Sequence, residues 1–162
     1  MIRLPHIFSD DMVLQQNKNI SIWGICDNNQ DIEVTIKERI EDKYNSISQV
    51  IVKTKKLAQH IIAKDDTEVG LYSWRVDLPA MNAGGPYTLE IFNNTCKIAY
   101  QNVMIGEVWL CGGQSNMELE MRESKEKKLP LYRSNVRIMT VPKYIYPFEA
   151  DNQRWKELNE ET

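Results

Sequence analysis

The sequence predicts an all-β sandwich, Ig-like or jelly-roll, over residues 1–103, followed by the start of an α/β domain over residues 104–162. Three observations predict it. Short runs between Ile20 and Phe92 alternate apolar and polar residues, with turn formers between them at the spacing of a sandwich. Near Val103 the alternation gives way to a continuous apolar run, Val103 to Cys111. That run ends at Gly112-Gly113 and leads into a charged, helix-prone stretch, which is how a parallel α/β layer begins.

The elements follow in order. Ile20, Ile22 and Trp23 lie in one short strand closed by Gly24. Ile32, Val34 and Ile36 alternate with Glu33, Thr35 and Lys37, the period of a half-buried strand. Ile47 to Thr54 and Leu57 to Ala63 are β-rich runs on either side of the pair Lys55-Lys56. Tyr72, Trp74 and Val76 alternate with Ser73, Arg75 and Asp77, and Tyr87, Leu89 and Ile91 with Thr88, Glu90 and Phe92. The turns fall at Asp27-Asn28-Asn29, Asp65-Asp66, Asn82 to Pro86, and Asn93-Asn94. Trp23, Tyr72, Trp74 and Tyr87 read as core aromatics; a sugar-stacking face is the other use of such rings.

In the second part, Val103 to Cys111 reads as a fully buried strand, with Cys111 as a small core residue. Met117 to Lys128 is helix-prone and ends before Pro130, with Glu123 to Lys128 as a solvated face. Val136 to Val141 reads as a second strand of the sheet. The large apolar groups Pro147-Phe148 and Trp155 need something to cover them.

Composition excludes several classes. A 42% hydrophobic content with four Trp argues for an ordinary core and against disorder. A net charge of −3, with Lys and Glu mixed along the chain, gives no electrostatic case for nucleic acid or an anionic membrane. No run reaches transmembrane length. Met1-Ile2-Arg3 runs into Leu4-Pro5 without the apolar segment of a signal peptide, so cytoplasmic residence is expected; a secreted or periplasmic protein with its signal removed reads the same. Cys26, Cys96 and Cys111 have no metal-ligand spacing, and Cys26 and Cys96 pair only if the fold joins them. Asn19-Ile20-Ser21 and Asn93-Asn94-Thr95 match the glycosylation sequon, as short motifs do by chance.

The chemistry centres on Gly113-Gln114-Ser115-Asn116-Met117. A serine on a tight turn between a buried strand and a helix is lifted clear of its backbone. The helix start there offers free N–H groups to a developing oxyanion. The same local pattern suits a helix N-cap, because Ser115 to Glu118 has capping-box spacing. Gln114 and Asn116 either orient substrate and the serine loop or satisfy turn backbone groups. His6 and His60 both precede Ser115, and His60 sits within a strand run; neither reads as the catalytic base.

Val108 to Glu118 resembles the first conserved block of the SGNH hydrolases, in the version found in sialate O-acetylesterases and related carbohydrate acetylesterases, with Gly112 where serine is common. Leu4 to Gln15, Ile22-Trp23-Gly24, Gly84-Gly85-Pro86-Tyr87 and Asn135-Val136-Arg137-Ile138 resemble further segments of that family, in the family's order.

The resemblance implies an SGNH-type serine esterase that removes O-acetyl groups from sialic acids, with Ser115 as nucleophile and Gly113, Gln114 and Asn116 supporting the turn and oxyanion. It implies no metal or organic cofactor. The family's triad aspartate and histidine, and its other oxyanion donors, belong to a region that would follow Thr162. The chain is therefore expected to be a truncated, inactive amino-terminal fragment that needs a carboxy-terminal catalytic half, and to self-associate through an exposed sheet edge. The alternatives are a carbohydrate-binding β-sandwich module and an acetylesterase acting on xylan or another acetylated glycan.

Overall fold

The computed structural model describes residues 1–28, 30–38, 50–53, 55–64, 67–113, 135–141 and 155–157. The described residues are all-β and contain no helix. A four-stranded sheet has the order β1 (Ile2–Arg3), β3 (Ile20–Cys26), β7 (Thr67–Leu78), β6 (Lys55–Lys64). A five-stranded sheet has the order β2 (Val13–Gln15), β9 (Lys97–Gly106), β8 (Gly84–Phe92), β4 (Glu33–Glu38), β5 (Val50–Lys53). A separate antiparallel pair joins β10 (Arg137–Ile138) to β11 (Lys156–Glu157).

The two sheets share one core. Ile22, Trp74, Val76 and Leu78 come from the first sheet; Val34, Ile36, Leu89, Ile91, Val103 and Ile105 come from the second. Alternation produces this directly, since every second side chain of a strand points to one face. Full burial of such an aliphatic side chain stabilises by about 1.5–3 kcal/mol relative to exposure. Phe8 and Met12, from the segment between β1 and β2, fill the same cluster, and Met12 is wholly buried.

The hairpin between β8 and β9 turns on Asn93. Its Oδ1 accepts from the Thr95 and Cys96 backbone N–H groups at 3.0 and 2.8 Å, and its own N–H donates to the Cys96 carbonyl at 2.9 Å. This is the Asx geometry that favours asparagine at such a corner.

Several expectations need correction. The apolar run from Val103 to Cys111 is not one buried strand. β9 passes through residue 103 and stops at Gly106, and beyond it Trp109 and Leu110 are 83% and 90% exposed. Among the described residues no strand lies beside the run there. β8 pairs no further than Gly84↔Ile105 and β2 no further than Gln15↔Gly106. Apolar residues without adjacent strands form no ladder. Cys111 is accordingly exposed, not core, and none of the three cysteines is in a disulfide.

Trp23 also departs from its expected place. It is 41% exposed, and its ring meets Phe8 edge-on with centroids 4.7 Å apart. Period-two alternation explains this. Ile20 and Ile22 face the core, so Trp23 faces away, and Gly24 points inward. Gly24 pairs with Trp74, and a Cβ there would lie 2.3 Å from the Arg3 carbonyl and 2.8 Å from the Trp74 ring. The glycine makes room for the indole.

Val136 to Val141 forms no parallel strand among the described residues. Only Arg137–Ile138 is extended, and it pairs antiparallel with Lys156–Glu157. The expected turn at Asn82 to Pro86 is shorter than its sequence signal, because β8 already begins at Gly84. The residues Ser115 to Lys128, with the expected helix, and Pro147-Phe148 lie outside the described residues.

Candidate functional site

Of the site residues expected from the sequence, Gly113 is described and exposed; Gln114, Ser115 and Asn116 lie outside the described residues. A Cβ at Gly112 would meet nothing within 4 Å. No packing demand among the described residues explains that glycine. The site is therefore built from the residues that carry the chain toward Ser115 and receive it afterwards.

The approach is the carboxy-terminal end of β9. β2 runs parallel to it, with Val13↔Met104, Leu14↔Ile105 and Gln15↔Gly106 as register partners. Buried Leu14 and Ile105 anchor the pair in the core. Past its last paired residue β2 continues to hold the exit. The Gln16 N–H donates to the Gly106 carbonyl at 2.8 Å. The Gln15 and Gln16 side-chain amides donate to the two Glu107 carboxylate oxygens at 3.1 and 2.5 Å. The Val108 N–H donates back to Gln15 Oε1 at 2.9 Å. The Gln16 and Gln15 bonds hold the Glu107 carboxyl below the usual carboxylate range, because they favour its charged form.

The return is at Arg137. Its guanidinium donates to the Asp11 carbonyl at 2.9 Å, to the Asn102 carbonyl at 2.5 Å and to Asn102 Oδ1 at 3.1 Å. Asn102 Nδ2 in turn donates to Asp11 Oδ1 at 2.6 Å. Asp11 and Asn102 both have left-handed backbones, φ 64° and 55°, a region these two residue types enter more readily than most. Near by, the Trp155 indole N–H donates to the Ile7 carbonyl at 2.9 Å, and its ring packs against the core.

All five family-like segments thus touch β9 or the Leu4 to Gln15 segment beside it. Leu4 to Gln15 supplies β2 and the Asp11 turn. Trp23 rests on Phe8 of that segment. Gly84 pairs with Ile105, and Gly85, at φ 127°, lies against Met104 and the Val103 carbonyl. Val108 continues the exit, and Arg137 closes on Asp11 and Asn102.

Sequence reasoning missed Glu107, Gln16 and Asn102, and gave Arg137 no role of its own. Glu107 carried a signal: a carboxylate inside a run read as fully buried is a misfit that calls for a partner or for exposure. His60 lies in β6, at the edge of the sheet that does not contain β9. His6 lies in the turn before Phe8. Among the described residues no cluster of His, Cys, Asp or Glu could hold a metal ion.

The chain is similar to known proteins. A carbohydrate acetylesterase from Xanthomonas citri has a similar solved structure, with a TM-score of 0.66 and 28% identity over 97% of this chain and 32% of its own. In sequence, the human sialate O-acetylesterase is 29% identical over 164 residues, 93% of this chain and 27% of the human protein. That of Pongo abelii is 30% identical over 86% of this chain and 25% of its own length. That of the rat is 38% identical over 79 residues. No family model matches the sequence.

The class of protein that the fold resembles is the carbohydrate acetylesterase. Within that class, the chain is related over most of its length to the sialate O-acetylesterase family, and it spans about a quarter of the length of those relatives.

Proposed function

We propose that this chain works as the nucleophile-bearing portion of a serine acetylesterase that removes O-acetyl groups from sialic acids. The observation that carries the reading is that all five family-like segments touch β9 or the Leu4 to Gln15 segment beside it, with Val108, seven residues before Ser115, fastened to Gln15. In this reading the two-sheet unit is the scaffold, and the segment beyond Gly106 starts the SGNH-type catalytic region.

The chemistry is two-step acyl transfer. The Ser115 hydroxyl attacks the acetyl carbonyl while an imidazole takes its proton, and the carbonyl electrons move onto oxygen. Backbone N–H groups at the Ser115 turn, including that of Ser115, stabilise the oxyanion. Collapse breaks the bond to the sugar oxygen, which leaves with the proton from the imidazolium. Water, deprotonated by the same imidazole, then cleaves the acetyl-serine and releases acetate. No step needs a metal or organic cofactor.

In this reading the imidazole comes from neither His6 nor His60, both of which precede Ser115 in the sequence. His60 lies in the sheet that does not contain β9, and His6 in the turn before Phe8. A serine without its base retains only a residual rate, about 10³–10⁴-fold over water. In this reading the 162-residue chain works together with a histidine-bearing catalytic portion and has little activity without it.

The test is acetate release by the longest natural polypeptide that includes this sequence, from matched O-acetylated sialic acid and acetylated xylan oligosaccharide. Faster release from the sialic acid is expected. Preference for the xylan substrate would move the assignment to plant glycans, and no release from either would remove it.

A further inference from the structure

The two described ends of the stretch that includes Ser115 are fastened to the same short ribbon. On the approach, Gly106, Glu107 and Val108 bond to Gln15 and Gln16. On the return, Arg137 bonds to Asp11, five residues earlier in the same ribbon. The ribbon is itself well rooted. Met12 is fully buried, its carbonyl accepts from the Met104 N–H at 3.0 Å, and Val13–Gln15 pairs with Met104–Gly106.

Arg137 is the stronger fastener of the two. One guanidinium reaches the backbone of both Asp11 and Asn102, with the Asn102 side chain completing the fork. A planar fork of fixed donors holds several acceptors at one relative position, which a lysine ammonium does not do. Hydrogen bonds from a charged donor are also stronger than neutral ones. Glu107 accepts two amides in an exposed setting, where water competes.

We infer that Arg137 is a positioning residue for the proposed esterase and Glu107 a weaker one: together they clamp the chain on either side of the nucleophile segment to the Asp11–Gln16 ribbon. The inference rests on the assignment of Ser115 as nucleophile. It goes beyond that assignment in naming two residues outside the nucleophile segment on which the rate depends. Small misplacements of reacting groups cost rate steeply, about 10²-fold for an ångström.

The experiment has two readouts. In the chain itself, amide resonances of Gly113 and Ser115 are followed by NMR in the native sequence, Arg137→Lys and Arg137→Gly, with and without millimolar guanidinium. In the longest natural polypeptide that includes the chain, kcat and KM are measured for the same variants. Arg137→Gly is expected to move both resonances and to lower kcat by roughly 10–10²-fold with little change in KM. Guanidinium should restore both, and Arg137→Lys should restore them only in part. Unchanged resonances in Arg137→Gly, or losses that guanidinium does not reverse in any degree, overturn the inference. If the resonances respond but no Ser115-dependent turnover exists in the native sequence, the clamp stands and the esterase reading fails.

Discussion

The Arg137 guanidinium donates to both the carbonyl and the side-chain oxygen of Asn102, joining β10 to the middle of β9 across 35 residues of sequence. Asn102 does three things at once. It accepts this fork, it donates to Asp11 Oδ1, and it holds a left-handed backbone that most residues avoid.

Replacing it should therefore be costly in a particular order. Asn102→Ala loses the side-chain bonds and places a Cβ in the left-handed region, and is expected to destabilise by about 2–3 kcal/mol. Asn102→Gly loses the same bonds but keeps the backbone, and should cost about 1 kcal/mol less. Urea unfolding of the three proteins measures the difference. Equal losses would show that the backbone conformation contributes little.

Gly24 faces the core against Trp74 and the Arg3 carbonyl, too close for any side chain. Gly24→Ala should displace β1 or the Trp74 indole and destabilise by about 1–3 kcal/mol, the usual range for overpacking. Thermal unfolding and the Trp fluorescence of the variant check both effects. An unaltered melting temperature would mean that the β1–β3 pairing yields without loss.

These two positions illustrate what was legible in the sequence. Alternation at Ile32, Val34 and Ile36, and at Trp74 and Val76, identified strands and their inward faces, because one period and one buried face suffice for that. The same parity, applied at Ile22, would have turned Trp23 outward. Thr35 is 2% exposed although it lies on the face opposite Val34 and Ile36, where its neighbour Glu90 reaches it. A single strand's pattern does not reveal what covers its other face. The end of β9 at Gly106 was illegible for a related reason, since strand length depends on where β2 and β8 stop. The fasteners at Glu107, Asn102 and Arg137 join residues far apart in sequence, and only the family-like segments hinted that these regions meet.

Acid should weaken the fold through paired carboxylates. Hydrogen bonds from Lys37 and Lys97 hold the Glu90 carboxyl below its ordinary 4.5, and its side chain is 14% exposed. A carboxylate depressed in the folded state contributes its full stability above the unfolded value. It loses that contribution as pH falls through the folded value. Glu90→Gln should be less stable than the native protein at neutral pH, with the gap narrowing below pH 4.5. Denaturant midpoints across that range test it; a gap that stays constant would contradict the assignment.

Trp109 and Leu110 stand almost fully exposed on consecutive positions of the β9 exit. Adjacent large apolar groups in water favour association. The 162-residue chain should therefore sediment with a concentration-dependent mass, reduced by the pair Trp109→Ser and Leu110→Ser. A monomer at every concentration would show that these residues are covered some other way.

If, as proposed, neither histidine serves Ser115, the chain alone should hydrolyse an aryl acetate no faster than Ser115→Ala. Ser115-dependent turnover near the ordinary enzymatic range, about 1–10³ per second, would place His6 or His60 at the nucleophile and overturn that assignment.

The central claim is that Ser115 carries the acetyl group. Its most direct test is rapid quenching of the longest natural polypeptide that includes this chain after brief mixing with an acetyl ester, followed by peptide mass analysis. The account predicts one acetyl group on the peptide containing Ser115, and neither acetylation nor acetate release in Ser115→Ala. Turnover that survives Ser115→Ala, or an acetyl group carried by another residue, would contradict it.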